Sequence, residues 1–198
     1  MKQQNASHEE NGLVPYQRKM AARFHTFDRD GDGVVTRQDF RLMAVSVTET
    51  FAVPPESDTA RKLHDSADTY WKGMAALADR DGDGQITQDE FVAAAQDGLY
   101  GDEAAFAKVA LSWHEAVFEA ADSDGDGRVT PQQLRGMLVS LGADPDQAAT
   151  VASERHTDAD GLITEDQILR SVAAYYTTSA PQRVFPEPGT LIHSSVTK

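Results

Sequence analysis

The chain has 198 residues, 40% of them apolar, which is enough for one compact domain or two small halves with a real core. Its 32 acidic and 18 basic residues give a net charge of −14; that excludes a basic face for nucleic-acid phosphates or anionic lipid and favours a soluble monomer. With no cysteine there are no disulfides, thiolate metal sites or cysteine nucleophiles, which fits a reducing cytoplasm. Residues 1–11 hold no apolar stretch of the secretory-leader kind. No apolar run reaches the roughly 20 residues of a membrane span.

Taken in chain order, a polar N-terminal segment (1–14) leads into a helical pattern carried by Met20, Phe24 and Phe27. An acidic stretch, 28–39, follows, and then a second helical pattern with Phe40, Met43, Ala44 and Val47. Val53-Pro54-Pro55 breaks the chain, and Ser57 or Asp58 can cap a long helix carrying Trp71, Met74, Ala75 and Ala78. The acidic stretch 79–90 precedes Phe91, Val92 and Ala95. Asp102 is placed to cap a helix with Val117, Phe118 and Ala121, which leads to 122–133 and then to Leu134, Met137, Leu138 and Leu141. A stop at Leu141-Gly142 and the start signal Asp144-Pro145-Asp146-Gln147 open a helix with Ala148, Val151 and Ala152. The last stretch, 156–167, is followed by Ile168, Leu169, Val172 and Tyr175. A Pro- and Ser-rich tail, 179–198, carries Val184, Phe185, Leu191 and Ile192, apolar residues suited to lying across a groove.

The four acidic stretches are one pattern repeated. They begin DRDGDG, DRDGDG, DSDGDG and HTDADG, and they hold half of the chain's 32 acids. A fixed glycine offset, a β-branched residue two positions later and helical periodicity on both sides give four helix–loop–helix units. This is the EF-hand pattern, D-x-[DN]-x-[DN]-G-x₅-E. A hard divalent cation takes oxygen ligands from side chains at loop positions 1, 3 and 5, the carbonyl at 7, the side chain or a water at 9, and a carboxylate at 12. Glycine at position 6 permits the sharp turn through positive φ.

The second loop fits throughout: Asp79, Asp81, Asp83, the Gln85 carbonyl, Thr87 and Glu90. The first has Asp28, Asp30, Asp32, the Val34 carbonyl, Thr36 and Asp39; only position 12 departs from the pattern. Aspartate there is one methylene shorter, which lowers calcium affinity and favours the smaller magnesium ion. The third has Asp122, Asp124, Asp126, the Arg128 carbonyl and Thr130, but a neutral Gln133 at position 12, so a weaker site is expected. The fourth puts His156 at position 1 and Gln167 at position 12; Asp158 and Asp160 alone cannot replace an ion's hydration shell. Its expected role is that of a partner. Val35, Ile86, Val129 and Ile163 stand at position 8, where paired loops join in a short antiparallel ribbon. The expectation is that the first loop pairs with the second, in a half spanning 15–100, and the third with the fourth, in a half spanning 101–178.

The chain resembles the sarcoplasmic calcium-binding protein family and its bacterial calerythrin-type members. The resemblance spans about 16–180 and rests on Asp39 within the run from Phe27 to Phe40, on the long connection between the first two hands, and on four hands of which some are degenerate. It implies an all-α fold: two paired halves packed into a compact globule that binds calcium and magnesium as a buffer or signal modulator. Two alternatives stand beside it. One is a sensor that exposes a groove to a partner, against which only five methionines weigh. The other is a photoprotein- or luciferin-binding-type protein with a ligand cavity. For that one the aromatic pairs Tyr70-Trp71, Trp113-His114 and Tyr175-Tyr176 are candidates, read here as ordinary core. His25 and His64 are read as surface or half-buried helix residues rather than catalytic ones. No nucleophile–base pair or phosphate loop marks an enzyme.

Overall fold

A computed structural model describes residues 2–155 and 157–179, with side chains from residue 13 onward. The tail expected to cover a groove lies outside the described residues, as does His156. Apolar stripes at helical spacing form eight helices here. They are α1 (Lys2–Phe27), α2 (Arg37–Thr50), α3 (Asp58–Ala78), α4 (Gln88–Gly98), α5 (Glu103–Ala121), α6 (Pro131–Ser140), α7 (Pro145–Ser153) and α8 (Glu165–Thr177). Most of the polar segment 1–14 is part of α1, which carries Pro15 in its interior.

The start signals act as read. Ser57 caps α3 by accepting from the Ala60 amide at 3.1 Å. Asp102 caps α5 through Ala105 at 2.9 Å. Asp144 caps α7 through the amides of Asp146 and Gln147, with Pro145 at the first helical position.

Four two-residue strands cross the loops: β1 (Val34–Val35), β2 (Ile86–Thr87), β3 (Arg128–Val129) and β4 (Ile163–Thr164). β1 pairs antiparallel with β2, placing Val35 opposite Ile86, and β3 pairs with β4, placing Val129 opposite Ile163. All four position-8 side chains are buried. Each ribbon thereby ties two loops into one unit and turns their acidic ends toward solvent.

The core is continuous through both halves. Phe27, Phe40 and Phe91, each next to a loop, meet there; Phe27 stacks on Phe40 with centroids 5.5 Å apart and lies 5.6 Å from Phe91. Tyr70 adds an edge to Phe40 at 5.1 Å. Between the halves, α3 runs along α5 and α2 packs on α6. Glycine makes both contacts close: a β-carbon on Gly73 of α3 would sit 3.1 Å from Val109 of α5, and one on Gly136 of α6 would sit 3.2 Å from the Phe51 ring. Glycine in a helix interior costs about 1 kcal/mol relative to alanine, and the close approach is its physical reason here.

α1 is fastened to the far end of the chain by polar groups from a buried face. The Tyr16 hydroxyl donates to the Tyr176 carbonyl at 2.6 Å. Lys19 donates to the Thr178 carbonyl. Arg23 donates through Nε to the Tyr176 hydroxyl at 2.7 Å and through Nη1 to the Leu141 carbonyl at 3.1 Å.

The three aromatic pairs are buried, as a core reading requires, whereas His25 and His64 are exposed. His114 is the titratable member. Its Nδ1 lies 2.8 Å from the Ala110 carbonyl, and burial pushes its pKa down from 6.5 to about 4. The unfolded chain thus takes up this proton first. Stability from the neutral ring is complete above about pH 6.5 and is lost as the pH falls toward 4. In chelator, His114→Leu is expected to flatten the fall of Tm across that window; equal slopes for the two proteins would refute it.

Candidate metal centres

Each of the first three loops gathers its three aspartates. In Asp28/Asp30/Asp32, Asp79/Asp81/Asp83 and Asp122/Asp124/Asp126, one carboxylate oxygen per residue lies within 4.8 Å of the others. Like charges at about 4 Å cost on the order of 1 kcal/mol per pair even in bulk water. The loop backbone offsets that cost by turning its amides inward.

Asp28 accepts from the Gly31 and Gly33 amides at 2.8 and 3.0 Å. Asp79 accepts from Gly82 and Gly84 at 2.8 and 3.1 Å, and Asp122 from Gly125 and Gly127 at 2.9 and 2.8 Å. The residue at position 5 accepts from the amide two positions on: Asp32 from Val34 at 3.0 Å, Asp83 from Gln85 at 2.8 Å and Asp126 from Arg128 at 2.8 Å.

Position 12 is held by the helix start it belongs to. Thr36, Thr87, Thr130 and Thr164 are N-caps of the exiting helices, and each forms a reciprocal capping box with Asp39, Glu90, Gln133 or Gln167. Position 9 therefore orients position 12. Asp39 Oδ2 accepts from the Thr36 amide at 2.8 Å and its hydroxyl at 2.9 Å, while Oδ1 reaches back to the Arg29 amide at 2.8 Å. Glu90 does the same toward Thr87 and, at 3.3 Å, toward the Arg80 amide. The Thr87 amide and hydroxyl hold the Glu90 carboxyl below the usual carboxylate range, so it is ionised at neutral pH. Asp39 is fully buried and Glu90 half-buried.

The third and fourth loops differ at this position. Gln133 turns its oxygen to Thr130 at 2.7 Å and donates its amide to the Ala121 carbonyl at 2.6 Å, tying the loop's two ends together without a charge. In the fourth, Asp158 Oδ1 accepts from the Asp160 and Leu162 amides at 2.9 Å each, and the Asp158 amide donates to the Leu162 carbonyl at 2.8 Å. The loop closes on itself. Among the described residues it forms no cluster of three acidic ligands.

The donor set of the first two loops is four carboxylates each, with carbonyl and hydroxyl oxygens beside them. These are hard oxygen donors, and they fit calcium or magnesium. One participant escapes the motif: the Arg128 side chain, whose guanidinium lies between the third and fourth loops. The pattern assigns position 7 only a carbonyl, and no spacing rule announces where its side chain goes.

The family of EF-hand domain pairs matches residues 17–96, and the EF hand family matches residues 115–138. Calerythrin of Saccharopolyspora erythraea is 23% identical over 159 residues, which cover 80% of this chain and 90% of that protein. The beta chain of the sarcoplasmic calcium-binding protein of Penaeus is 32% identical over 117 residues, 56% of this chain and 59% of its own. A solved structure of a Streptomyces coelicolor calcium-binding protein, described for prokaryotic calcium-mediated regulation, is 39% identical. It matches 83% of this chain and 99% of its own length, with a TM-score of 0.73. Four helix–loop–helix units paired through their loops, and a 39%-identical relative matched over nearly its whole length, lead to one conclusion: the chain belongs to the EF-hand family of calcium-binding proteins.

Proposed function

We propose that this protein is a cytoplasmic calcium/magnesium buffer or modulator of calcium signals, with its tight sites in the first two loops and a weaker one in the third. The ligands in this reading are Asp28, Asp30, Asp32, the Val34 carbonyl, Thr36 and Asp39; Asp79, Asp81, Asp83, the Gln85 carbonyl, Thr87 and Glu90; and, more weakly, Asp122, Asp124, Asp126, the Arg128 carbonyl, Thr130 and Gln133. The carboxylate clusters support the assignment.

The observation that carries the buffer reading is how little apolar surface is left outside. Among the described residues only Val14, Val45 and Leu77 are large apolar side chains left exposed, and they are scattered along α1, α2 and α3. A ligand-cavity protein needs about 300–1,000 Å³ of enclosed space. The apolar crevice beside Tyr70, Phe106 and Tyr176 measures about 20 Å³, room for a single water.

A second reading, the calcium sensor, draws on one feature. An open groove of about 750 Å³ runs past Phe51, Gly136 and Val139 to Gln133, at position 12 of the third loop. A cation pulling on Gln133 would move α6, one wall of that groove. The relative described for calcium-mediated regulation lends this reading weight.

ANS fluorescence in excess magnesium separates the two. Added calcium is expected to leave the signal flat or lower it; a strong rise would replace the buffer by the sensor. Glu90→Gln is expected to remove one tight site from a calcorimetric calcium titration, and an unchanged stoichiometry would overturn the ligand assignment. Asp39→Glu restores bidentate reach at the first loop and should shift its preference toward calcium over magnesium on the order of tenfold; competition titration reads this directly.

A further inference from the structure

Arg128 contributes more than a carbonyl to the third loop. Its Nε and Nη2 donate to Asp126 Oδ2 at 3.0 and 2.7 Å. Its Nη1 crosses the β3–β4 ribbon to Asp160 at 3.1 Å and Asp158 at 3.3 Å. One planar cation thus bridges position 5 of the third loop and positions 3 and 5 of the fourth, the geometry for which guanidinium is suited. The guanidinium donates to all three carboxylates, and its charge is permanent because a guanidinium does not deprotonate in proteins.

The other loops have nothing comparable. Position 7 is Val34 in the first, Gln85 in the second and Leu162 in the fourth. Asp32 and Asp83 each give Oδ1 to a backbone amide, and their Oδ2 accepts no hydrogen bond among the described residues. Asp126 gives Oδ1 to the Arg128 amide and Oδ2 to the Arg128 guanidinium. The oxygen that a position-5 aspartate keeps for a metal is already held by a cation.

We propose that Arg128 is a built-in counter-ion: its single positive charge offsets part of the charge of Asp158 and Asp160 in the fourth loop, and calcium enters the third loop by displacing it from Asp126. The proposal rests on the third loop being a site, as read above. Arg128 then sets that site's affinity, so the third loop fills after the first two. The fourth loop's acids act by holding the guanidinium that the third loop must release.

The amides of Gly33, Gly84 and Gly127, which donate to the position-1 aspartates of the first three loops, give one NMR resonance per site in a calcium titration. In Arg128→Gln, the Gly127 midpoint is expected at about tenfold lower calcium, with those of Gly33 and Gly84 unchanged and Tm in chelator lowered. Arg128→Lys keeps the charge without the fork and should fall between. Arg135→Gln removes the same charge from α6, where its guanidinium donates to the Pro145 carbonyl, and should leave the Gly127 midpoint at the wild-type value. Equal midpoints in Arg128→Gln and wild type, or an equal gain in Arg135→Gln, would overturn the role of Arg128 alone. A Gly127 resonance indifferent to calcium in every variant would overturn this role and the third-loop assignment together.

Discussion

Three carboxylates within 4.8 Å of one another repel, and much of this molecule is arranged to hold them together. Backbone amides turn inward to meet position 1, which requires the loop to reverse at its glycines. The exiting helix begins with a threonine that orients the residue at position 12. The ribbon between paired loops anchors the opposite side through buried Val35, Ile86, Val129 and Ile163. Preorganisation of this kind lowers the ordering cost of binding.

Much of this was legible because it is local. Loop boundaries, the caps at Ser57, Asp102 and Asp144, and the pairing of loops follow from residue type and spacing within a dozen positions. The Thr at position 9 and its partner at position 12 were read only as ligand spacing; the structure makes each pair a capping box as well. What the spacing did not reveal depends on contacts far apart in the chain. Arg23 is a buried cation that reaches Leu141 and Tyr176 in the other half. Gly73 and Gly136, to which the sequence pattern assigned no role, lie against Val109 and Phe51. Arg128, of which the pattern assigned only the carbonyl, sets its guanidinium between the third and fourth loops. Helical periodicity likewise says which face is buried, not what it meets, which is why the polar start of the chain read as a segment apart from α1.

The two halves are unequal for a chemical reason. In the first, both loops end in a carboxylate that is tied to the loop backbone as well as to its threonine. In the second, the amides of Gln133 and Gln167 keep the cap without the charge. Cap and charge are thus separable at one position: glutamine preserves the helix start, and with it the fold, while offering no carboxylate. A loop without that carboxylate can remain a structural partner.

The fastening of α1 bears on how the protein is made. Tyr16 and Lys19 find their acceptors at Tyr176 and Thr178, 160 and 159 residues further along the chain. During synthesis, the entering helix of the first hand emerges long before those acceptors exist. Contacts of such sequence separation close late and slow folding. The nascent chain can seat α1 against α4, with the Tyr16 hydroxyl on the Ala95 carbonyl, before α8 is made; the fastening to Tyr176 and Thr178 closes last.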